Sequence, residues 1–529
     1  MKLRKFSVLL TAGALLLSAA AVPAVPVFAE DDDDDLMTDE VLTYRKVDTG
    51  VEIIDCAEST VQMHIPKDFM GYPIVAIADE AFANCSKLAT LTLDAPIETI
   101  GVNAFTNCTA LKSVKLPDTV TSLGDAAFYN CNTLEEVILP DSITQMGLYC
   151  FAYCFGLKEI ALPENLVTLP GYCFYYDFSL ENVELNEKLQ TIDTLAFVGC
   201  YVMKEITIPA SVTKIAPLAM LACSSLTDIT VEKDSTVYCS TEDGVLMNAD
   251  CTELILYPAG KTETSYTVPD TVETVSYYAF SGNASLTEVR LPASVSAINE
   301  GAFSDCLSLT TVNIPDAVTV IDNSLFADCP QLKITIPEQI TSIGEYAFYC
   351  CEAMDALTIP AAVKTIGDYA FTGCSGITDV TVPETVTSIG NYAFGYLIKE
   401  DEETQEVTPY VMENFVLRGH SSSVAKTYAK TYDVKFKQTN FPVVPVMIAV
   451  SAMLLIALAV VFVVDYRKRR ALKKVEIDES AIADPDALQD ANYSSILGDD
   501  EDGDPFDRSY GFRIDDPEDT ASNTDEHDA

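Results

Sequence analysis

The chain has 529 residues, of which 80 are Asp or Glu and 32 are Lys or Arg, so its formal net charge is −48. This charge argues against sequence-independent binding to DNA or RNA and against adhesion to anionic lipid by charge alone, because both need cationic groups near phosphates. Hydrophobic residues make up 49% of the sequence, which excludes a wholly disordered chain.

The N-terminal segment, residues 1–29, has the pattern of a secretory signal peptide. Three basic residues among the first five precede an uncharged apolar run that ends in Val27-Phe28-Ala29. Small residues at the last and third-last positions suit signal peptidase, which predicts cleavage after Ala29; a retained N-terminal anchor is the alternative. Residues 30–40 begin with Glu30 and five aspartates, so this segment is predicted to be solvated and disordered. Five consecutive aspartates lack the spacing of a calcium-coordinating loop.

A 23-residue repeat fills the middle of the chain. Its marker is a Phe, once a Met, usually preceded by Ala, and thirteen in-phase units predict a repeat solenoid in place of three globular domains. Units one to seven occupy residues 74–231 and units eight to thirteen occupy residues 270–396. Within each block the markers are 23 residues apart with one step of 22: Phe82, Phe105, Phe128, Phe151, Phe174, Phe197, Met220, then Phe280, Phe303, Phe326, Phe348, Phe371 and Phe394.

Each unit has the pattern of one solenoid coil. Residues 134–139 (Leu-x-x-Val-x-Leu) alternate as a short strand does, and Pro140 ends the strand. Residues 120–124 (Val-x-x-Leu-Gly) predict a second extended piece that a glycine turn closes. Residues 125–131 are expected to form one tight helical turn that places Phe128 inward. One coil cannot bury these side chains alone, so parallel strands are expected to stack about 4.8 Å apart and share a core.

The unit Leu-x-x-Val-x-Leu-Pro-x-x-Val-x-x-Ile-Gly-x-x-Ala-Phe-x-x-Cys resembles the BspA-like leucine-rich repeat proteins of bacterial and some protist surfaces. The resemblance covers residues 41–437, including an N-terminal cap at 41–73 and a closing cap that contains 416–430. It implies a leucine-rich repeat right-handed coil rich in short parallel strands. It also implies adhesion to host or matrix proteins, or to other microbes. The repeat pattern is specific for the fold but gives almost no information about the identity of the ligand.

Two segments interrupt or end the repeat. Residues 232–269 contain two strand-like runs, 243–248 and 253–260, which predict a hairpin insertion; a binding loop is the alternative. Residues 397–437 combine the C-terminal cap with a run of acidic residues between Leu397 and Asn414, which predicts an exposed acidic hairpin.

Residues 441–464 form an uncharged apolar run with the length of a transmembrane helix. As a helix it would extend about 36 Å, enough for a hydrocarbon core of ~30 Å. The basic cluster that follows, residues 467–474, predicts a cytoplasmic C-terminal side and an extracellular N-terminal ectodomain. A buried core helix is the alternative. Residues 465–529 are rich in acidic residues and poor in large apolar ones, so they are predicted to be a disordered cytoplasmic tail.

The cysteines follow the repeat. Their regular phase predicts buried free thiols that behave as small hydrophobes, although export of the chain leaves disulfides open. No Cys-x-x-Cys pair or neighbouring His completes a zinc site. Cys239 and Cys251 flank the predicted hairpin and are the pair predicted to form a disulfide. Ten others lie three residues after the marker: Cys85, Cys108, Cys131, Cys154, Cys200, Cys223, Cys306, Cys329, Cys351 and Cys374.

No catalytic set emerges, because His64, His420 and His527 lie in the opening cap, the closing cap and the tail. No catalytic, cofactor-binding or metal residue is therefore assigned, and an enzyme is disfavoured. The outward positions of the first strand in each coil are expected to form one continuous binding face. Its candidate residues are Lys112, Lys115, Glu135, Lys158, Glu181, Thr287, Arg290, Thr310, Asn313, Thr358 and Thr378.

The sequence thus predicts a membrane-anchored extracellular recognition protein, a bacterial adhesin that is held in the membrane by one helix. Its expected partners are protein or glycan ligands of a host, a matrix or other microbes, with no nucleic acid. The alternative is a single-pass surface receptor that relays ligand binding through its acidic cytoplasmic tail.

Overall fold

The computed structural model describes residues 36–400, 407–439, 453, 456–464, 466 and 467. Contacts divide the chain into a unit that ends at Phe441 and a unit that begins at Pro442, and only the first carries the repeat. The predicted signal peptide, residues 30–35 and the predicted tail beyond residue 467 lie outside the described residues.

An N-terminal cap opens the first unit. Its strands β1, β2 and β3 are antiparallel neighbours, and β3 then pairs in parallel with β6, so the cap supplies the first rung of the coil ladder. The rings of Tyr44 and Phe69 stack with centroids 4.1 Å apart. The bounds of the cap strands are β1 Leu36–Thr38, β2 Leu42–Val47, β3 Gly50–Cys56, β4 Gln62–Ile65, β5 Asp68–Phe69 and β6 Tyr72–Ile77.

The prediction that residues 30–40 are disordered is wrong for residues 36–40. Strand β1 pairs with β2 in the register Leu36↔Arg45, which gives its main chain hydrogen-bond partners. The Tyr44 hydroxyl also donates to Asp39 Oδ2 at 3.0 Å, and Asp39 Oδ1 accepts from the Leu42 N–H at 2.7 Å. These contacts fix a segment that its charge alone would leave solvated.

Each coil of the first block contributes a first strand from its Leu-x-x-Val-x-Leu segment and a second, two-residue strand from its Val-x-x-Ile/Leu segment. Neighbouring coils pair in parallel at the repeat spacing, for example Ser113↔Glu136 and Thr99↔Ser122. The strands are β7 Thr90–Leu93, β8 Thr99–Ile100, β9 Ser113–Lys115, β10 Ser122–Leu123, β11 Glu136–Ile138, β12 Gln145–Met146, β13 Glu159–Ala161, β14 Thr168–Leu169, β15 Asn182–Glu184, β16 Thr191–Ile192, β17 Glu205–Ile208, β18 Lys214–Ile215 and β19 Asp228–Val231.

The insertion and the second block continue the coil. The insertion contributes β20, β21 and β22, and the second block contributes strands of the same two kinds. They are β20 Tyr238–Ser240, β21 Leu246–Asn248, β22 Glu253–Leu256, β23 Ser265–Thr267, β24 Thr274–Val275, β25 Glu288–Arg290, β26 Ala297–Ile298, β27 Thr311–Val312, β28 Val320–Ile321, β29 Ser342–Ile343, β30 Leu357–Thr358, β31 Thr365–Ile366, β32 Asp379–Thr381 and β33 Ser388–Ile389.

The segment after the second strand is a series of turns, so the predicted helical turn at 125–131 is wrong. Ala126 and Asn130 have left-handed φ angles of 54° and 56°, which no helix contains. The Phe128 N–H donates to Cys150 O of the next coil at 2.8 Å. The main-chain N–H groups of this segment thus bond to carbonyl groups of the neighbouring coil, whereas those of a helix bond to carbonyl groups of the same helix. Phe128 is nevertheless fully buried, as predicted.

The marker phenylalanines form a column of stacked rings in each block of the core, and the two runs are separated at Met220. Centroids of Phe82, Phe105 and Phe128 are 5.0 and 5.1 Å apart along the column. Tyr257 occupies the same position in a further coil, since its ring lies 5.2 Å from that of Phe280 and its N–H donates to Ala279 O at 2.7 Å. The predicted number of thirteen coils is therefore too low by one. The coil of Tyr257 was not recognised in the sequence because its marker is a tyrosine and it carries the insertion.

The insertion is a hairpin, as predicted: β21 pairs with β22 in antiparallel register, and β20 adds a third strand on the other side of β21. Strand β22 then pairs in parallel with β24 and starts a new ladder of second strands. The predicted disulfide between Cys239 and Cys251 is absent. Both are free thiols with their Sγ atoms 3.4 Å apart, and the Cys239 thiol donates to Asn248 O.

The column cysteines are free and buried, as predicted. All of these thiols except Cys85, which donates to Cys56 O, donate to the carbonyl of a marker in a preceding coil, for example Cys108 Sγ to Phe82 O and Cys131 Sγ to Phe105 O, both at 3.2 Å. Burial raises the pKa of the Cys131 thiol well above its usual value. The thiol therefore stays protonated and gives a buried main-chain oxygen a donor.

Two polar residues replace cysteine in this column. The Asn283 amide donates to the carbonyls of Ala259 and Lys261 at 3.1 and 3.2 Å. Asp177 Oδ1 accepts from the Cys154 N–H at 2.7 Å, while its other carboxyl oxygen makes no hydrogen bond in the structure. Burial raises the pKa of Asp177 well above its usual range, so its carboxyl group is held in the protonated form.

A hairpin and a cap close the solenoid. The predicted acidic hairpin is present as the antiparallel pair β34 and β35, although residues 401–406 are outside the described range. In the cap, the Tyr428 hydroxyl donates to Phe394 O and accepts from Phe394 N–H, both at 2.9 Å, which covers the last ring of the column. The elements are β34 Tyr396–Glu400, β35 Val407–Val411, β36 Val416–Gly419, α1 Val424–Thr431 and β37 Lys435–Gln438.

The predicted transmembrane segment is described only in part. Residues 453 and 456–464 are helical, and the other residues of 441–464 are outside the described range. Among the described residues, no helix has the length and apolar character needed to cross a membrane.

Candidate ligand-binding face

The outward side of the first strands, here called the strand face, carries every candidate residue of the sequence prediction. Each of them lies in a first strand or in the residues that border it. Thr287 and Thr310 are half-buried. The others are exposed: Lys112, Lys115, Glu135, Lys158, Glu181, Arg290, Asn313, Thr358 and Thr378.

Three of the candidates have their polar atoms engaged between coils. The Thr310 hydroxyl donates to Thr287 O at 2.7 Å, and the Thr287 hydroxyl donates to Thr264 O at 2.9 Å. The Asn313 amide both donates to Leu291 O and accepts from Leu291 N–H at 2.8 Å, in the manner of a main-chain partner. These side chains support the strand face, whereas Arg290 on the same face projects into solvent.

A one-residue deletion interrupts the strand face in one coil. The segment Leu332-Lys-Ile-Thr-Ile336 has one residue fewer than its counterpart 309–314 in the preceding coil, which accounts for the single marker step of 22. No strand forms at residues 333–336: β27 pairs only with β25, and β30 pairs only with β32. The missing residue therefore breaks the ladder on both sides of this coil.

The break leaves main-chain groups without partners. The Lys333 N–H still donates to Thr310 O at 2.8 Å. Beyond it, within the described range 36–400, the N–H and C=O groups of Ile334, Thr335 and Ile336 make no main-chain hydrogen bond. Thr335 is exposed, so its groups are open to solvent or to a ligand.

A groove of about 650 Å³ lies over this break. Strand β25 and residues 311–314 form two of its sides, and residues 333–335 form the third. Arg290 Nε donates to Glu288 Oε1 at 2.8 Å, and this contact lowers the pKa of the Glu288 carboxyl. Lys333 is exposed and makes no ion pair within the described part of the chain. The groove thus presents an ammonium, a guanidinium and one carboxylate group on a strongly acidic protein.

Sequence comparison identifies the repeat. The profile described as "BspA type Leucine rich repeat region (6 copies)" matches residues 75–200, 167–243, 259–334 and 333–401. The chain belongs to the BspA-type leucine-rich repeat family. The resemblance seen in the sequence is therefore confirmed. Proteins of this BspA-type fold are in general binding scaffolds whose function depends on the surface that they present.

One solved structure supports the BspA-type assignment, and two others share the fold. A leucine rich cell surface protein from Faecalibacterium prausnitzii is 30% identical with a TM-score of 0.59, over 68% of this chain and 95% of that one. The pneumococcal vaccine antigen PcpA (17% identity, TM-score 0.52) covers 77% of this chain and 99% of its own, and shows the fold alone. The alignment with a leucine-rich repeat protein from Bacteroides ovatus (21% identity, TM-score 0.50) covers 76% of this chain and 100% of that chain. No match was found among curated proteins.

Sequence reasoning missed an aromatic cluster on the turn segments of the BspA-type coils. Phe155, Phe178 and Tyr201 stack with centroids 4.9 and 5.2 Å apart, and Tyr149 stacks on Tyr172 at 4.4 Å. These rings are only partly buried. The signal is present in the sequence as aromatic residues that recur 23 positions apart beside the marker, outside the first strands.

A column of polar side chains lies two residues after the marker. In the early coils it is an amide ladder, in which Asn107 donates to Asn84 and Asn130 donates to Asn107, both at 2.8 Å. In later coils Asp305 and Asp328 hold the same position. Burial, and secondarily Asp328, raises the pKa of Asp305 to about 7, and burial raises the pKa of Asp328 to about 6.

This column predicts a pH-dependent stability. A carboxyl group whose pKa is raised in the folded state stabilises the fold below its unfolded pKa of about 3.9, and that contribution is lost as pH rises through 6 to 7. We expect the double substitution Asp305→Asn and Asp328→Asn to raise the free energy of unfolding at pH 8 relative to wild type, with a smaller gain at pH 5. The gain should be on the order of 1 kcal/mol or more, since an amide ladder replaces two ionised carboxylates. Urea unfolding at the two pH values measures it, and an equal effect at both would contradict this expectation.

Among the described residues, no three His, Cys, Asp or Glu side chains are grouped so that they could hold a metal ion.

Proposed function

We propose that the protein is a membrane-anchored extracellular adhesin that presents the strand face to protein or glycan ligands. The observation that carries the proposal is the strand face itself, because exposed polar side chains recur along it from coil to coil and a ladder break opens a groove in it. A buried core sealed by two caps leaves such a surface as the part of the fold that can vary without loss of stability.

The placement outside the cell rests on the two ends of the sequence. The signal-peptide pattern at 1–29, the apolar run at 441–464 and the basic cluster at 467–474 support export with one membrane anchor. The Faecalibacterium relative, which is described as a cell surface protein, supports the same location.

Binding is tested with the full-length chain in detergent on an array of glycans and of matrix and cell-surface proteins. We expect saturable binding to at least one component. A folded, monodisperse preparation that binds none of them would overturn the recognition role.

Anchoring is tested separately in cells. The full chain should sediment with membranes and its repeat should be cleaved by protease added outside the cell, whereas deletion of residues 441–464 should release the repeat into the medium. Retention of the deletion variant in the membrane, or protection of the repeat in intact cells, would refute the proposed topology.

A further inference from the structure

We propose that the groove over the ladder break binds a carboxylate-bearing sugar unit of a glycan. The inference rests on the proposed recognition function and names the class of ligand for one site on the strand face. Its starting point is the deletion in segment 332–336, where no first strand forms.

The charge of the groove indicates an anionic ligand. The chain has a net charge of −48, yet the charged side chains that line this groove are Lys333, Arg290 and Glu288, so the groove has two cations and one anion. Glu288 engages Arg290 through Nε, so the terminal nitrogens of the guanidinium group remain available. A guanidinium fork binds a carboxylate through two parallel hydrogen bonds, and an ammonium group adds a point charge beside it.

The uncharged groups of the groove suit sugar hydroxyls. The exposed Thr311 and Thr335 line it with hydroxyl groups, each of which can donate and accept. The unpaired main-chain groups of Ile334 and Thr335, which also line the groove, add further donors and acceptors. A polyhydroxylated ring with one carboxylate would satisfy both the cations and these groups.

The same lining disfavours an acidic peptide. No aromatic side chain borders the groove, and Arg290 is the only lining residue of the types that dominate protein–protein contacts. The volume of about 650 Å³ lies within the ~300–1,000 Å³ that is typical of small-ligand sites. A short acidic oligosaccharide therefore fits the groove better than a protein surface does.

The proposal is tested by measuring affinities of the full-length chain in detergent for three soluble probes. Two are acidic oligosaccharides, one ending in sialic acid and one in galacturonic acid, and the third is the neutral asialo counterpart of the first. The two acidic probes separate the possible sources of the carboxylate. We expect at least one acidic probe to bind at least tenfold more tightly than the neutral probe. A glutamate-rich peptide is measured as a fourth probe. Equal affinity for the three sugars, or tighter binding of the peptide than of both acidic sugars, would overturn the proposal.

Point variants locate the site. Lys333→Gln and Arg290→Gln should each weaken binding of the acidic probe about tenfold or more, because each removes a cation from the groove. Lys112→Gln is the matched control, since it removes an exposed lysine from the strand face of an early coil. Wild-type affinity in both groove variants would refute the assignment.

An insertion variant tests the origin of the groove. Adding one threonine between Lys333 and Ile334 restores the Leu-x-x-Val-x-Leu spacing, so the ladder should close and binding of the acidic probe should be lost. Circular dichroism and urea unfolding should show a fold at least as stable as wild type. Undiminished binding by this folded variant would contradict the proposal. Array binding that survives all three groove changes would leave the adhesin function intact and remove only this site, whereas failure of the whole array would remove both.

Discussion

Replacing Phe128 by alanine should lower the free energy of unfolding by about 3–5 kcal/mol. The side chain is fully buried, and its ring stacks between those of Phe105 at 5.1 Å and Phe151 at 5.4 Å. The second strands of the three coils form a continuous ladder and the first strand pairs with that of the next coil, so the coils cannot fully collapse into the space that alanine leaves. Urea unfolding followed by circular dichroism measures the change.

Glu135→Ala is the control for this substitution, because it removes an exposed side chain from the strand face of the same coil. It should change the free energy of unfolding by no more than about 0.5 kcal/mol. A loss below about 1 kcal/mol for the Phe128 variant would mean that the coils close over the space left by the ring, so that the ring column contributes little to stability.

The second large effect is expected for Gly124→Ala, at about 3 kcal/mol of destabilisation. A Cβ atom at Gly124 would lie 2.5 Å from Gly101 C and 2.5 Å from Val102 N in the preceding coil. Both are main-chain atoms, so relief requires the coils to separate and weakens the hydrogen bond from Gly124 N–H to Ile100 O, now 2.8 Å. Thermal and urea unfolding both report the loss.

Thr144→Ala provides the comparison, since Thr144 is exposed and precedes the second strand of the next coil. It should leave stability within about 0.5 kcal/mol of wild type. If the Gly124 variant proved as stable as the Thr144 variant, the close approach of successive coils at this position would not be a constraint on the sequence.

The sequence predicted most of the fold because each coil repeats the same few contacts. The marker spacing located the buried ring column, and the phase of the cysteines located a buried thiol column. Contacts whose partner lies in the next coil could not be predicted from the sequence. The turns at 125–131 bond to the neighbouring main chain, so local pattern suggested a helical turn that is absent. Tyr257 was missed because its coil combines a changed marker with an insertion.

The sequence predicted which residues lie on the strand face, but it did not predict which of their polar groups are already hydrogen-bonded. Outward alternation placed Arg290 and Asn313 correctly on the strand face, yet the sequence could not show that the Asn313 amide is fully engaged by Leu291. The shortened unit at 332–336 was visible as a step of 22. Its effect depends on the loss of pairing with both neighbours, which only the three-dimensional structure reveals.

The thiol column has a consequence for how such chains change length. If a coil held one cysteine of a disulfide between coils, its duplication or deletion would leave a cysteine without its disulfide partner. Here all 16 cysteines are free, and the thiol of Cys131 is satisfied by the main chain of the coil before it, a partner that every added coil brings with it. Gene duplication can therefore lengthen or shorten the array by single coils, in odd or even number, without separating the two halves of a disulfide.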